Sequence, residues 1–248
     1  MMAVSDIEEW KLDHSKAVSP QLRNVLRTRI IRNDLRPMSR LSEPELAKEY
    51  GVSRQPVREA FITLVEEGLL EVRPQRGTYV KRIDYEAVLN ARFVREAVEA
   101  DIVCKLAAEG SAALVKDLRG QISHQRAVAD DTPEHFMELD EHFHRTLARA
   151  AGVGRSWDFL AQIKSQMDRV RFLTFEEFHI SKLIDQHEQV ADAIEQKSAS
   201  RVEDAMRTHL REILSSLPRV QKLYPDHFED SRGAIPGKSA QNSRRRIS

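Results

Sequence analysis

Pro56 stands inside VSRQPVREAF, residues 52–61, a stretch that otherwise spells a helix. A proline is tolerated there only in the first turn, where the N–H it lacks would have had no intrahelical partner. The helix must therefore open with Ser53 as N-cap and Arg54, Gln55 and Pro56 as its first three positions. It then runs through VREAFITLVEEG to Gly68. Upstream, LSEPELAKEYGV reads as a short helix capped by Ser42, with Pro44 in its first turn and Gly51 as its stop. Two helices joined by the tight turn Tyr50-Gly51-Val52 form a helix-turn-helix. In that motif the second helix points its N-terminus into the DNA major groove. Arg54 and Arg58 lie one turn apart on one face at that end.

The flanking sequence completes a domain. SPQLRNVLRTRIIRN is a first helix with Ser19 as its expected cap and Pro20 behind it, and Leu35-Arg36-Pro37 ends it. After Gly68, the β-prone runs LLEVR and TYVKR flank Pro74-Gln75-Arg76-Gly77, a hairpin with a turn signal. Arg73, Arg76, Lys81 and Arg82 make it basic, and Gly77 permits close approach to a groove. Residues 18–82 are thus expected to be a winged helix-turn-helix of three helices plus a β-hairpin. From residue 83 to 218 the pattern is helical throughout, with segments at 85–109, 111–130, 133–151, 154–175, 180–196 and 200–217, punctuated by Gly110, Pro133, Gly152 and Gly154. That predicts a mainly α protein whose second domain is an all-α bundle. Residues 1–17 and the basic tail 219–248, which carries Arg244-Arg245-Arg246, are expected to be flexible.

Charge supports the division. The chain is neutral overall, yet residues 18–82 hold 13 Lys/Arg against 8 Asp/Glu, while residues 83–218 hold 17 against 24. A front carrying +5 suits a polyanion and a back carrying −7 does not. No apolar run approaches a membrane span, no leader pattern opens the chain, and Cys104 has no internal partner, so the expected setting is the cytoplasm with no membrane involved.

Four residues of the back half stand out. Asp140 and His144, four apart, flank the stripe Phe136, Leu139, Phe143, Leu147. His187 sits among Leu183, Ile184, Val190, Ala191 and Ile194, and His209 lies on the stripe Val202, Met206, Leu210, Ile213. One carboxylate and three imidazoles from three helices, all facing one core, suit Zn²⁺ or Ni²⁺, with Mn²⁺ or Fe²⁺ as further options. The same pattern also fits hydrogen-bonded core histidines with Asp140 paired to an arginine. His124, His135, His142 and His179 fit no such face and read as surface residues. Arg95 interrupts the stripe Val88, Ala91, Val98, Ile102, Leu106 and needs an anionic partner, either Glu99 one turn on or a ligand. Arg171 projects from the Leu160, Ile163, Met167, Val170 face, and Arg169 points away.

ELAKEYGVSRQPVREAFITLVEEGLLEVRPQRGTYV closely resembles the DNA-binding domain of the GntR superfamily of bacterial transcription regulators, and the helical second half resembles the FCD ligand-binding domain of its FadR-type branch. The likeness spans about residues 18–217. It implies DNA contacts by Ser53, Arg54, Gln55 and Arg58 in the recognition helix and by Arg76 and Gly77 at the wing tip. FCD domains of the metal-binding type carry Asp-x₃-His on one helix and a histidine on each of two later helices. That implies one divalent ion on Asp140, His144, His187 and His209, and an effector carboxylate at Arg95, with Arg171 as a second candidate. There are departures. Met38 stands where the family often has glycine, and Pro44 where the acyl-CoA-responsive member has an arginine, so that member's operator and ligand do not transfer. The wing is most like members that govern sugar-acid catabolism.

The expected function is a homodimeric, effector-responsive repressor of a catabolic operon that binds an inverted-repeat operator. A metal-dependent hydrolase with an appended DNA-binding domain is the alternative. It would need a general base beside the metal, and Glu138 and Glu141 lie off the inner face. A purely architectural DNA-binding protein is disfavoured by polar groups where aliphatics would pack better.

Overall fold

The expected elements form, and their packing adds what periodicity does not reveal. The structure, a computed structural model, describes residues 10–129, 132–174 and 180–229. His179 and the terminal arginines fall outside that range. In chain order the elements are α1 (Val18–Ile31), β1 (Arg40–Leu41), α2 (Glu43–Glu49), α3 (Arg54–Glu66), β2 (Leu70–Arg73), β3 (Gly77–Val80), α4 (Tyr85–Glu109), α5 (Ala112–Ala127), α6 (Pro133–Ala150), α7 (Gly154–Ile163), α8 (Ser165–Leu173), α9 (Ile180–Glu195) and α10 (Ala199–Leu223).

The front domain closes over Leu22, Leu26, Val57, Phe61, Leu64 and Val80. Its hairpin gains a third strand, giving an antiparallel sheet ordered β1-β3-β2, with Leu70 opposite Val80 and Arg40 opposite Tyr79. The two-residue β1 lacks any alternation that a sequence pattern could show. Met38, just before it, holds φ +67°. This left-handed backbone explains why glycine is common there in the resembling family. Ser19 does not cap α1. The helix starts at Val18, after Ala17, and its first turn is held without a side-chain cap.

In the bundle, Asp84, Ser111 and Thr132 cap α4, α5 and α6 by accepting from the N–H groups of Ala87, Leu114 and His135. The core gathers Phe136, Phe143, Trp157, Ile184, Ile194 and Met206. The single helix expected over 154–175 is two, broken at Lys164. The break resets the helical phase, so Ile163 is exposed while every residue from Ser165 to Val170 is buried. The last helix does not stop before Pro218. It continues to Leu223, because Leu217 and Val220 extend the buried stripe Val202, Met206, Leu210, Ile213 while the proline ring faces outward. That packing outweighs the roughly 3 kcal/mol cost of an internal proline.

Beyond α10 the chain turns at Pro225–His227 and runs beside the interdomain linker. Ile83 N–H donates to His227 O at 2.7 Å, and Glu229 N–H donates to Ile83 O at 3.0 Å. Phe228 is buried against Ile83, Val88, Val170, Leu217 and Val220. His227 Nε2 also lies 3.1 Å from Asn33 Oδ1 in the front domain. The segment 219–229, taken with the flexible tail on sequence, thereby clamps the linker. Phe228→Ala should lower unfolding stability by about 3–5 kcal/mol, the usual cost of emptying a buried phenylalanine site. Urea denaturation monitored by circular dichroism measures it.

Candidate metal centre and nucleic-acid interface

The apolar stripes that bury α6, α9 and α10 bring their exceptions together. Asp140, His144, His187 and His209 are all buried, and one donor atom from each lies within 4.8 Å of the others. His144 Nε2 is 3.1 Å and His187 Nε2 3.3 Å from His209 Nε2. Asp140 Oδ1 lies 3.6 Å from His187 Nε2 and makes no hydrogen bond.

What surrounds the rings decides their protonation. His187 Nδ1 is 2.9 Å from Gln125 Oε1, and Gln125 Nε2 donates to Leu139 O, which fixes that amide's orientation. His209 Nδ1 is 3.0 Å from Gln186 Oε1, and Gln186 Nε2 donates to Glu212 Oε2. His144 Nδ1 is 2.5 Å from Glu99 Oε2. Gln125 Oε1 and Gln186 Oε1 accept from the Nδ1–H of His187 and His209 and turn those two Nε2 lone pairs toward the common centre, while Glu99 Oε2 lies on the Nδ1 side of His144. Facing Nε2 lone pairs packed against an unbonded carboxylate oxygen are best satisfied by a cation among them. The donor set therefore fits a metal, and these four residues could hold one.

The electrostatics agree. Burial drives His187 down to about 3 and holds His209 well below its usual value, so both are neutral, the state that ligates. Burial alone would raise the Asp140 carboxyl, but Arg171, whose Nη1 donates to Oδ2 at 2.8 Å, holds it well below the carboxylate range. Glu99 is likewise opposed by burial, yet Arg95 above all brings it to about 2.

Of the two arginines singled out as effector contacts, Arg171 meets the cluster directly through Asp140. Arg95 Nε donates to Glu99 Oε1 at 2.6 Å, and its guanidinium lies over the Trp157 ring. Of the partners its pattern allowed, the structure places Glu99. Arg169 is buried rather than turned outward. His124 and His142 are exposed and His135 is half-buried, away from the cluster. Sequence reasoning missed Gln125, Gln186 and the second role of Glu99. Gln125 left a signal, a lone amide continuing the buried stripe Leu114, Leu118, Ile122.

On the front domain, Ser53 is the extended N-cap of α3, and Arg54, Gln55 and Arg58 are exposed around its first turns. Arg58 is bridged to Glu43 on α2 at 3.1 Å, Gln55 bonds Glu59, and Arg54 has no partner among the described residues. The Arg58 pair is exposed and therefore weak, so a phosphate or a base edge can displace Glu43. Arg76 is exposed at the hairpin tip, followed by Gly77 at φ +108°. A Cβ at Gly77 would come within 3.0 Å of Arg40 Nε.

A winged helix-turn-helix with basic reading positions, joined to a helical bundle with a buried ligand-type cluster, defines a DNA-binding transcription regulator. Residues 19–80 match the family model "Bacterial regulatory proteins, gntR family" and residues 91–212 match "FCD domain". The chain is 35% identical over 226 residues to the HTH-type transcriptional repressor RspR of Escherichia coli (strain K12), covering 90% of this chain and 98% of that one. It is 26% identical over 212 residues to the Nta operon transcriptional regulator of Aminobacter aminovorans, covering 84% and 93%. The solved structure of E. coli McbR/YncC shares the fold, with a TM-score of 0.69 at 18% identity over 82% of this chain and 98% of that one. The chain belongs to the GntR family of regulators and carries an FCD domain. Its relatives are transcription regulators and not enzymes, which removes the hydrolase alternative. In keeping with this, Glu99, the added inward carboxylate, faces the Nδ1 side of His144 and not the convergence point. No helix among the described residues is long and apolar enough to cross a membrane.

The depressed imidazoles set a pH dependence. Between pH 6.5 and about 3 the unfolded chain binds a proton at His187 that the folded chain refuses, so stability falls as pH drops through that window. In protein stripped of metal by a chelator, the loss from His187 at pH 5.5 relative to pH 8 should be about 1.4 kcal/mol. Denaturant midpoints at the two pH values check this, and His187→Gln should flatten the slope.

Proposed function

We propose that this regulator is a repressor whose operator affinity is set by a small hydroxy acid bound at a divalent metal in the FCD bundle. The supporting observation is the convergence of three histidine Nε2 atoms on the unbonded Oδ1 of Asp140. Imidazole and carboxylate donors suit Zn²⁺ or Ni²⁺. When bound, the metal supplies a Lewis-acidic centre for a ligand's carboxylate or hydroxyl oxygen. Likeness to a transcriptional repressor supports the sign of regulation, and operon-specific relatives support control of a catabolic operon.

Arg171 is the better-placed cation for an effector carboxylate, because its guanidinium already reaches the cluster at Asp140. Arg95 acts behind it, holding Glu99 against His144. An aldonate, a hexuronate or another hydroxy acid offers the adjacent carboxylate and hydroxyl such a centre takes. One winged helix reads too few bases for specificity, so the chain binds an inverted repeat as a homodimer, with Ser53, Arg54, Gln55 and Arg58 in the major groove and Arg76 and Gly77 at the minor groove.

Two measurements test this. Metal analysis should find about one divalent ion per chain, with marked loss in His187→Ala and His209→Ala. A metal-free wild type that cannot be reloaded would refute the site. Against an operator fragment selected from random sequence, Arg58→Ala should bind more weakly by about 1–3 kcal/mol with unchanged far-UV circular dichroism. Unaltered binding would remove Arg58 from the reading face.

A further inference from the structure

Helix α8 reads SQMDRVRFL, polar at most positions, yet Ser165 to Val170 are all buried. Buried polar side chains persist only where each finds a partner, so the partners show what the helix holds. At its C-terminal end, Arg171 bonds Asp140 Oδ2. Near its N-terminal end, Gln166 Nε2 donates to Gly68 O at 2.6 Å, across the domain boundary. Gly68 follows the C-cap, Glu67, of the recognition helix. Arg169 Nη1 donates to Gln166 Oε1 at 3.2 Å and so orients that amide toward Gly68. Among the described residues Arg169 has no carboxylate partner, and burial lowers its guanidinium to about 10.

A second grip lies beside the first. Arg27 of α1 donates through Nη2 to Ser165 Oγ at 2.8 Å and to Ala161 O at 2.6 Å, and through Nε to Glu67 Oε2 at 3.2 Å. Arg23 also bonds Glu67. The end of the recognition helix is thereby tied to the N-terminal end of α8 by two routes, Gln166 to Gly68 and Ser165 through Arg27 to Glu67. A third contact steadies α8 itself: Lys164 bridges Asp168 and Glu141, the neighbour of Asp140.

We propose that α8 is a rigid coupler that carries the occupancy of the Asp140/His144/His187/His209 site to the C-terminal end of the recognition helix, with Arg171 as its input and Gln166 and Ser165 as its output. This rests on the metal-site reading above and adds the residues that transmit it. A cation among the imidazoles draws on the charge of Asp140 and repels the Arg171 guanidinium bonded to the same carboxylate. The Asp140–Arg171 bond weakens or reorients. Gln166 and Arg171 are about 7.5 Å apart along the axis of one short helix, a distance over which it moves as a body. The input at one end therefore shifts the hydrogen bonds at the other. This non-covalent route runs beside the covalent linker at Ile83 and Asp84, which Phe228 clamps.

The test uses the full chain, Zn²⁺ as the probe, and a readout that needs no operator. Zinc uptake is measured by equilibrium dialysis, and amide hydrogen exchange over residues 64–69 is compared between chelated and zinc-loaded protein. Wild type should take up one zinc and change its exchange rate over 64–69 by about fivefold or more, the lower end of ordinary coupling between sites. Arg27→Ala combined with Gln166→Ala should take up zinc with unchanged affinity and lose that change, leaving less than about a twofold difference. Gln166→Glu, isosteric and without the donor to Gly68, is the second variant and should weaken the response in the same direction. Zinc uptake by wild type with no change over 64–69 would overturn the coupler and leave the metal site standing. A full response in both variants would also overturn it. Failure of wild type to take up zinc would overturn the metal site and the coupler with it.

Discussion

Three imidazole Nε2 atoms and one carboxylate oxygen face each other across a few ångströms in the middle of a helical bundle, and much of the bundle is arranged to keep them so. A histidine ring in an apolar core can satisfy itself through either nitrogen. Here Glu99, Gln125 and Gln186 occupy the Nδ1 sides and leave only Nε2 to point inward. The two glutamines are in turn oriented by Leu139 O and Glu212. Phe143 stacks on His187 with ring centroids 4.1 Å apart, which fixes the ring plane. Such a polar network has a cost in a core that aliphatics would fill more stably, and it is retained where it defines a site.

The same cluster explains the buried charges around it. Arg171 and Arg95 are not isolated cations, since each ends on a carboxylate of the network, Asp140 or Glu99. Asp140 gives Oδ2 to Arg171 and keeps Oδ1 for the centre. Because Arg171 belongs to α8, and α8 also touches the front domain, the buried cluster and the recognition helix share one short piece of secondary structure. Between the basic front and the acidic back, Arg27 lies 3.9 Å from Asp168, and Glu67 holds Arg23 and Arg27 in place from within the front domain.

Much of this was legible in the sequence because it depends on short-range rules. Pro56 fixed the start of the recognition helix, Gly51 the turn before it, and the Asp140/His144 spacing the shared face on α6. His187 on α9 and His209 on α10 were visible as polar exceptions on apolar stripes. What escaped were long-range outcomes. The break at Lys164 rotates α8 relative to α7, so Ile163 is exposed and Arg169 buried, contrary to a continuous period. Pro218 ends a helix by local rules but is overridden by the packing of Leu217 and Val220. The pairing of Phe228 with Ile83 joins residues far apart in the chain, and no local pattern marks it.

The role of the bundle turns on whether a cation occupies the convergence point. A crystal structure of zinc-loaded protein, with anomalous scattering recorded on both sides of the zinc edge, measures this directly. One peak per chain bonded to Nε2 of His144, His187 and His209 and to Asp140 Oδ1, at about 2.0–2.2 Å from each, is the expected result. A map with zinc only at surface histidines, or with the three imidazoles turned so that Nδ1 faces the centre, would contradict it.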